Sequence, residues 1–336
     1  MKHFITTQEW DKTELDAILD SATRLKADPI QHHLLKGKSI ALLFFNPSLR
    51  TRTSFELGAD QLGAHAVVLE PGKGAWGISF EDGAIMDGSE EEHVKEAAGV
   101  LSRYCDLIAI RAFPRFVNWA EDRQDTVIRQ FARYSSVPVI NMETITHPCQ
   151  ELAHILALKE HVGGDLVGKR YLLTWTWHPK PLNTAVANSA AMIATRFGMN
   201  VTLLCPNEQY HLDDRYLDAA KSNADETGGS FDITYDIEQA YDGAEIVYTK
   251  SWGALPYFGR WEDEAPMRQH LQHFIVDQPK MNRTDNAVFS HCLPVRRNVK
   301  VTDDVLDSPR CIALDEAENR LHVQKALMAH LLNASA

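Results

Sequence analysis

"SIALLFFNPSLRTRTSFE", residues 39–56, joins a short apolar run to a stretch rich in arginine and hydroxyl groups. The run ends at Asn46-Pro47 and reads as a buried strand that stops there. From Ser48 to about Gly63, with Phe55, Leu57 and Leu62, the stretch reads as the helix that follows. A strand feeding directly into a helix is the opening half of a βαβ unit. The same reading gathers Ser48, Arg50, Thr51, Arg52 and Thr53 at a helix N-terminus. There the unpaired backbone N–H groups and the helix dipole favour an anion. A phosphate cradle fits, and so does an ordinary capped helix with two solvated arginines.

The rhythm continues outward from this stretch. HAVVLEP, DLIAIRAF and VPVINME read as strands, separated by helical spacing in EEHVKEAAGVLSRY and DTVIRQFARY. RYLLTWTW, MNVTLLCP, FDITYD, EIVYTK, HFIVDQ, AVFSHCLP and CIALDE repeat the strand pattern in the second half. Among them lie the helical NTAVANSAAMIATRFG, DDRYLDAAKSNADE and the Met267–Gln272 segment. Such alternation predicts an α/β fold of two doubly wound parallel-sheet domains. At 336 residues two cores are expected. Residues 1–148 form the expected first domain, 149–316 the second, with CQELAHILALKEHV as the connecting helix. The amphipathic segment 317–336 is expected to dock back on the first domain.

Composition narrows the function. Hydrophobic residues make up 44% and charged residues 24%, as in a soluble globular protein. A net charge of −12 without a basic block speaks against nucleic acid as a partner. No apolar run reaches the roughly 20 residues of a membrane span, and MKHFITTQEW lacks the apolar centre of a signal peptide. The five scattered cysteines suggest neither a disulfide framework nor a metal site. A reducing cytoplasm is the expected location.

Ligands of open parallel sheets sit beyond the carboxyl ends of the strands. That rule selects NPSLRTR (46–52), RAFPRF (111–116), HPCQ (147–150), TWHPKPLN (176–183), KSWGALP (250–256) and HCLPVRRN (291–298). Together these segments point to one active site, in a cleft between the two domains.

Three of the segments carry a resemblance. Ser48-Leu49-Arg50-Thr51-Arg52, His147-Pro148-Cys149-Gln150 and His291-Cys292-Leu293-Pro294 resemble, in order, the signatures of the aspartate and ornithine carbamoyltransferase family. The resemblance covers essentially the whole chain. It implies that Ser48, Leu49, Arg50, Thr51, Trp76, Arg111, His147, Gln150 and Arg320 bind carbamoyl phosphate. Charge-assisted forks from arginine suit a doubly charged acyl phosphate. Arg50, Thr51, Arg111, His147 and Cys292 are the implied catalytic residues. The resemblance has Thr51, Arg111 and His147 polarise the carbonyl, and the departing phosphate accept the amine proton. No cofactor or metal is implied. Read without it, His147 is a histidine at a helix start and Arg320 a surface ion-pair residue.

The acceptor is read from departures. Ornithine enzymes of this family carry an aspartate before a Ser-Met-Gly loop, to pair with a free α-ammonium. This chain has Tyr248-Thr249-Lys250-Ser251-Trp252-Gly253, and Lys250 would repel such a group. An acylated α-amine is therefore expected. With Glu143, Trp76, Glu91 and the run Val295-Arg296-Arg297-Asn298-Val299-Lys300, the chain is similar to the N-acetylornithine branch of the family. The similarity implies an acceptor set of Glu143, His178, Asn183, Lys250, Cys292, Leu293 and Arg296. It also implies a homotrimer in which the loop bearing Trp76 and Glu91 reaches a neighbour's site, with Lys300 carried as N6-carboxylysine. A solvated Lys300, an apolar Cys292 and an exposed Trp76 on a glycine-rich loop are the plainer alternatives. N-succinylornithine or ornithine remain as alternative acceptors, and a non-catalytic α/β binding protein as a different class. The absence of Gly-x-Gly-x-x-Gly after a strand disfavours a dinucleotide module.

Overall fold

The computed structural model describes residues 1–334; the last two residues of the segment 317–336 lie outside the described residues. The chain divides into two compact units. The first takes Met1–Pro114, Ala120–Leu152 and the chain from Glu318 on, and the second takes Arg115–Trp119 and Ala153–Ala317.

In the first unit the strands are β1 (Ser39–Phe44), β2 (His65–Leu69), β5 (Leu107–Arg111) and β6 (Val139–Glu143), with a two-residue pair, β3 (Ile78–Ser79) and β4 (Glu92–His93), apart from them. The main sheet is parallel, in the order β2-β1-β5-β6. β1, β5 and β6 are buried almost throughout because both faces are covered, whereas the edge strand β2 is partly exposed. Leu43, Ile108 and Ile110 pack with Val94 and Ala98 of helix Val94–Tyr104 and with Ile128 and Phe131 of helix Thr126–Tyr134. A register shift follows Ile110, so Arg111 stands opposite Glu143 instead of Met142. Such an irregularity re-aims a side chain. Here it sets an arginine beside a glutamate at the end of the sheet.

In the second unit β7 (Arg170–Trp175), β8 (Asn200–Leu204), β9 (Ser230–Thr234), β10 (Ile246–Lys250) and β11 (Val288–Ser290) form a parallel sheet in the order β11-β10-β7-β8-β9. Helix Ala185–Arg196 is buried along almost its whole length, which is why its sequence is mainly apolar with small polar residues. A fully buried carboxylate, Glu316, ties elements of this unit together. It accepts hydrogen bonds from Ser290 Oγ at 2.5 Å and Tyr248 Oη at 3.0 Å, and lies 2.8 Å from His154 Nδ1. Burial works against its ionisation, but His154, Ser290 and Tyr248 outweigh it and hold its pKa below the ordinary value.

Two expected strands are not strands. HFIVDQ makes a single bridge, Val276 to Val301, because Asp277 immediately caps a short helix begun by Gln278-Pro279. CIALDE makes one bridge at Cys311 and then enters helix Ala313–Leu331, whose first turn takes Asp315 and Glu316. Acidic residues suit a helix start, so the apolar run was the front of a helix. Helix Lys12–Ala27, not among the expected elements, begins at a capping box formed by Asp11 and Glu14. Of Met267–Gln272 only Met267–Gln269 is helical, as the end of the longer helix Trp261–Gln269 that has Pro266 inside it, and 270–272 are turn. Arg115–Trp119, which the sequence reading kept with the first domain, packs in the second unit: Phe116 stacks on Phe258 with centroids 5.7 Å apart, and Trp119 Nε1 donates to Asp213 at 2.7 Å.

Both sheets reverse their strand order once, between β1 and β5 in one and between β7 and β10 in the other. Ligand crevices form at such switch points. Side chains tie the strand ends there: Asn46 accepts from the Phe113 N–H at 2.7 Å, and Thr249 Oγ1 donates to Thr176 Oγ1 at 3.0 Å.

Candidate active site

In the first unit, β1 delivers the chain to helix Arg50–Gln61. The Ser48 hydroxyl accepts the Thr51 N–H at 3.1 Å and so fixes the first turn. Leu49 is exposed, Arg50 is half-buried and Thr51 is buried. Arg52 does not join them. Its guanidinium pairs with Glu56 at 3.4 Å and Glu70 at 3.0 Å on the surface, whereas the charge of Arg50 acts on Arg320.

Thr51 Oγ1 accepts a 2.5 Å hydrogen bond from Arg320, which is buried and not the surface residue its acidic neighbours suggest. Arg111 is bonded to Glu143, and His147 Nε2 stands 3.4 Å from the same carboxylate. Glu143, expected on the acceptor side, therefore lies among the phosphate-side groups. Burial pushes the Arg320 pKa down; Glu143 and Cys149 oppose that, and Arg50 and Arg111 add to it. Three guanidinium groups thus share one region with one neighbouring glutamate. Concentrated positive charge in a partly dry place is costly until an anion offsets it.

His147 sits just before helix Pro148–His161, with Pro148 at its first position. His147 and Gln150 are both buried. Burial raises the Cys149 thiol to about 12, so it is a packing group and not a nucleophile. Trp76 and Glu91 stand exposed on the segment from β2 to β4, Trp76 at 67%.

In the second unit, Lys250 ends β10 and donates to Cys292 Sγ at 3.4 Å. Leu293 holds φ 52°, a left-handed conformation rare for a branched side chain, and its N–H donates to His291 Nδ1 at 2.8 Å. Arg296 is exposed, while Lys300 is 2% exposed and not a solvated lysine. Burial lowers the Lys300 ammonium to about 7, with Lys250 and Arg296 adding to the shift and Cys292 opposing it. His178, near the end of β7, falls to about 4 for the same first reason. Its Lys180 backbone bond opposes the fall, and Lys300, Arg296 and Arg268 deepen it. Asn183 accepts the Ala185 N–H at 3.2 Å and starts helix Ala185–Arg196. Lys250, Lys300 and Arg296 therefore form a basic group, with His178 held neutral beside it. Such a group attracts a carboxylate and repels a free ammonium.

The Lys300 value has a testable consequence. Between about 7 and 10.5 the unfolded chain holds a proton that the folded chain has released, so stability climbs with pH across that window. The penalty is full below pH 7. Lys300→Met removes it, so its gain in Tm is expected to be larger near pH ~6 than near pH ~9 in carbonate-free buffer. Thermal melts at the two pH values decide this; a gain that does not shrink at the higher pH contradicts the burial account.

Sequence reading missed Glu264 and Arg268, a buried ion pair beneath this group. Their i,i+4 spacing was the available signal, hidden by Pro266 between them.

Comparison with known proteins finds close similarity over the whole chain. Residues 2–160 match the aspartate/ornithine carbamoyltransferase carbamoyl-P binding domain, and residues 174–331 match the Asp/Orn binding domain of the same family. An N-acetylornithine carbamoyltransferase of Xanthomonas campestris pv. campestris is 66% identical over 336 residues, covering 100% of this chain and 99% of that one. An N-succinylornithine carbamoyltransferase of Bacteroides fragilis is 37% identical over 324 residues, 95% of each chain. A solved acetylornithine transcarbamylase complexed with acetylcitrulline matches with a TM-score of 0.98 at 65% identity, over 100% of both chains.

Proposed function

Since the chain belongs to the aspartate/ornithine carbamoyltransferase family, we propose that it transfers the carbamoyl group of carbamoyl phosphate to the side-chain amine of N-acetyl-L-ornithine. The products are N-acetyl-L-citrulline and phosphate, in arginine biosynthesis. The observation that carries the acceptor is the pair of cations Lys250 and Arg296 around Lys300, which suits an α-carboxylate beside a blocked α-amine.

Ser48, Arg50, Arg320 and the N–H groups at the start of helix Arg50–Gln61 hold the phosphoryl oxygens. Thr51, Arg111 and His147 donate to the carbonyl oxygen, and Gln150 holds the carbamoyl amide. The neutral amine attacks the carbamoyl carbon, and negative charge builds on that carbonyl oxygen. Each donor placed there contributes about 3–4 kcal/mol in such sites. The carbon–oxygen bond to phosphate then breaks, and the leaving phosphate takes the proton from the new ureido nitrogen. His178, Asn183, Lys250, Cys292, Leu293 and Arg296 receive the acceptor, with Glu143 orienting Arg111 and His147.

We further propose a cytoplasmic homotrimer in which Trp76 and Glu91 serve a neighbour's site. Lys300 is suited to carboxylation. With its pKa near 7 its neutral amine is available to attack carbon dioxide, releasing a proton. The resulting carbamate replaces a repelling cation beside Lys250 and Arg296 with an anion.

Turnover tests the acceptor. N-acetylornithine should give ureido product faster than ornithine or N-succinylornithine, and a reversed order overturns the reading. Glu91→Ala should shift the kcat/KM ratio toward N-succinylornithine by at least about tenfold. A like charge at ~4 Å costs about 4 kcal/mol at an effective dielectric near ~20, and one decade needs about 1.4 kcal/mol. An unchanged ratio means that Glu91 does not face the acyl end.

A further inference from the structure

Helix Trp261–Gln269 supplies none of the groups assigned above, yet it carries the fully buried pair Glu264–Arg268, at 0% and 3% exposure. A buried ion pair is a poor way to stabilise a helix, since apolar residues of like volume do as well or better. What distinguishes this pair is where its remaining bonds go. Arg268 Nη1 donates to the carbonyl of His178 and to that of Lys180, both at 3.4 Å. The Trp177 indole N–H in turn donates to the Arg268 carbonyl at 2.8 Å. These contacts hold the loop after β7. Glu264 Oε1 accepts the Ala254 N–H at 2.8 Å, which holds the loop after β10.

The same helix closes the gap between the two loops. A Cβ on Gly253 would lie 2.6 Å from the Trp261 ring and 2.9 Å from Pro181 Cβ, so the Trp261 indole and both loops meet with no room for a side chain. β7 and β10 are the neighbouring strands at which the sheet reverses its order. Their two loops carry His178 and begin at Lys250.

We propose that Glu264 and Arg268 are positioning residues for the acceptor: one buried ion pair sets the spacing of the His178 loop against the Lys250 loop. The pair neither touches substrate nor takes part in proton transfer. It fixes backbone carbonyls and an N–H so that His178 and Lys250 stand ready. An acceptor bound by both loops depends on that spacing, whereas carbamoyl phosphate, assigned to the first unit, does not. This rests on the N-acetylornithine reading above.

The test compares wild type with Arg268→Lys, Arg268→Met and the double variant Glu264→Gln/Arg268→Met. The double variant removes both charges, which avoids the large cost of leaving one buried charge alone, and it keeps the test open where Arg268→Met fails to fold. KM for N-acetylornithine should rise at least about tenfold in the double variant, with KM for carbamoyl phosphate within about twofold of wild type. Arg268→Lys keeps the charge but cannot span two carbonyls, so it should fall between. Unchanged KM for N-acetylornithine, or both constants rising together with loss of Tm, overturns the proposal. A wild-type protein that makes no ureido product from N-acetylornithine overturns the acceptor reading and this one together.

Discussion

Arg50→Ala is expected to lower kcat/KM by about a thousandfold or more while leaving the fold intact. Arg50 is half-buried at the first position of helix Arg50–Gln61, so truncating it leaves no filled core position empty. Its guanidinium adds positive charge around Arg320, and the proposed ligand is a dianion. Losing one charge-assisted donor aimed at such a group costs about 10²–10³ in rate, and a weakened ground-state hold on the phosphate adds to it. Arg52→Ala supplies the control. Among the described residues Arg52 pairs with Glu56 and Glu70 at the surface, and exposed pairs contribute about 0–1 kcal/mol. Its kcat/KM should stay within about threefold. Steady-state kinetics beside circular dichroism check both. A folded Arg50→Ala protein within about tenfold of wild type would remove the phosphate cradle from the account.

The contrast between these neighbours shows what a sequence can carry. Position along the chain put both arginines at a helix start after a strand, and that much was legible because apolar runs and turn residues mark strand ends. Which arginine turns inward depends on Glu70, 18 residues on and across a turn, which no local pattern reveals. Arg320 is the converse. Its acidic neighbours suggested a surface pair, yet burial of Glu316 against His154, Tyr248 and Ser290 takes that helix inside. Glu143 was legible as a site residue but not as a partner of Arg111, because that pairing comes from a one-residue register shift in the sheet. The two lost strands, HFIVDQ and CIALDE, were apolar runs short enough to serve as a single bridge or the front of a helix. Sequence pattern locates strand ends, and tertiary contacts decide what each end holds.

Buried charge within each unit is the other recurring theme. Lys300 is held near neutrality, and Arg320 is driven down by burial and its neighbours. Both conditions cost stability in the unliganded protein, and both suit chemistry on charged substrates. A dianion among the arginines offsets the first unit's excess charge, so its binding should stabilise the folded state through mass action.

Arg111 is where structural and catalytic roles can be separated, and the effects there should be large in both. Its guanidinium is bonded to Glu143 on the neighbouring strand and lies 4.4 Å from the centre of the Phe113 ring. Arg111→Met removes the cation bonded to the buried Glu143 carboxylate, leaving His147 at 3.4 Å and the charge of Arg320 nearby. Breaking a buried pair on one side costs about 3–5 kcal/mol, so a fall in Tm of many degrees is expected. The proposed carbonyl donor is lost as well, with an expected drop in kcat of about a hundredfold or more. The double variant Arg111→Met/Glu143→Gln carries no stranded charge, and most of the lost stability should return. Activity should not, because no group then donates from position 111 to the carbonyl oxygen. Melting curves and steady-state kinetics on the two single variants and the double variant form a cycle that reads both effects. Recovery of kcat together with Tm in the double variant would mean that Arg111 acts only by holding Glu143 and gives nothing directly to the reacting carbonyl.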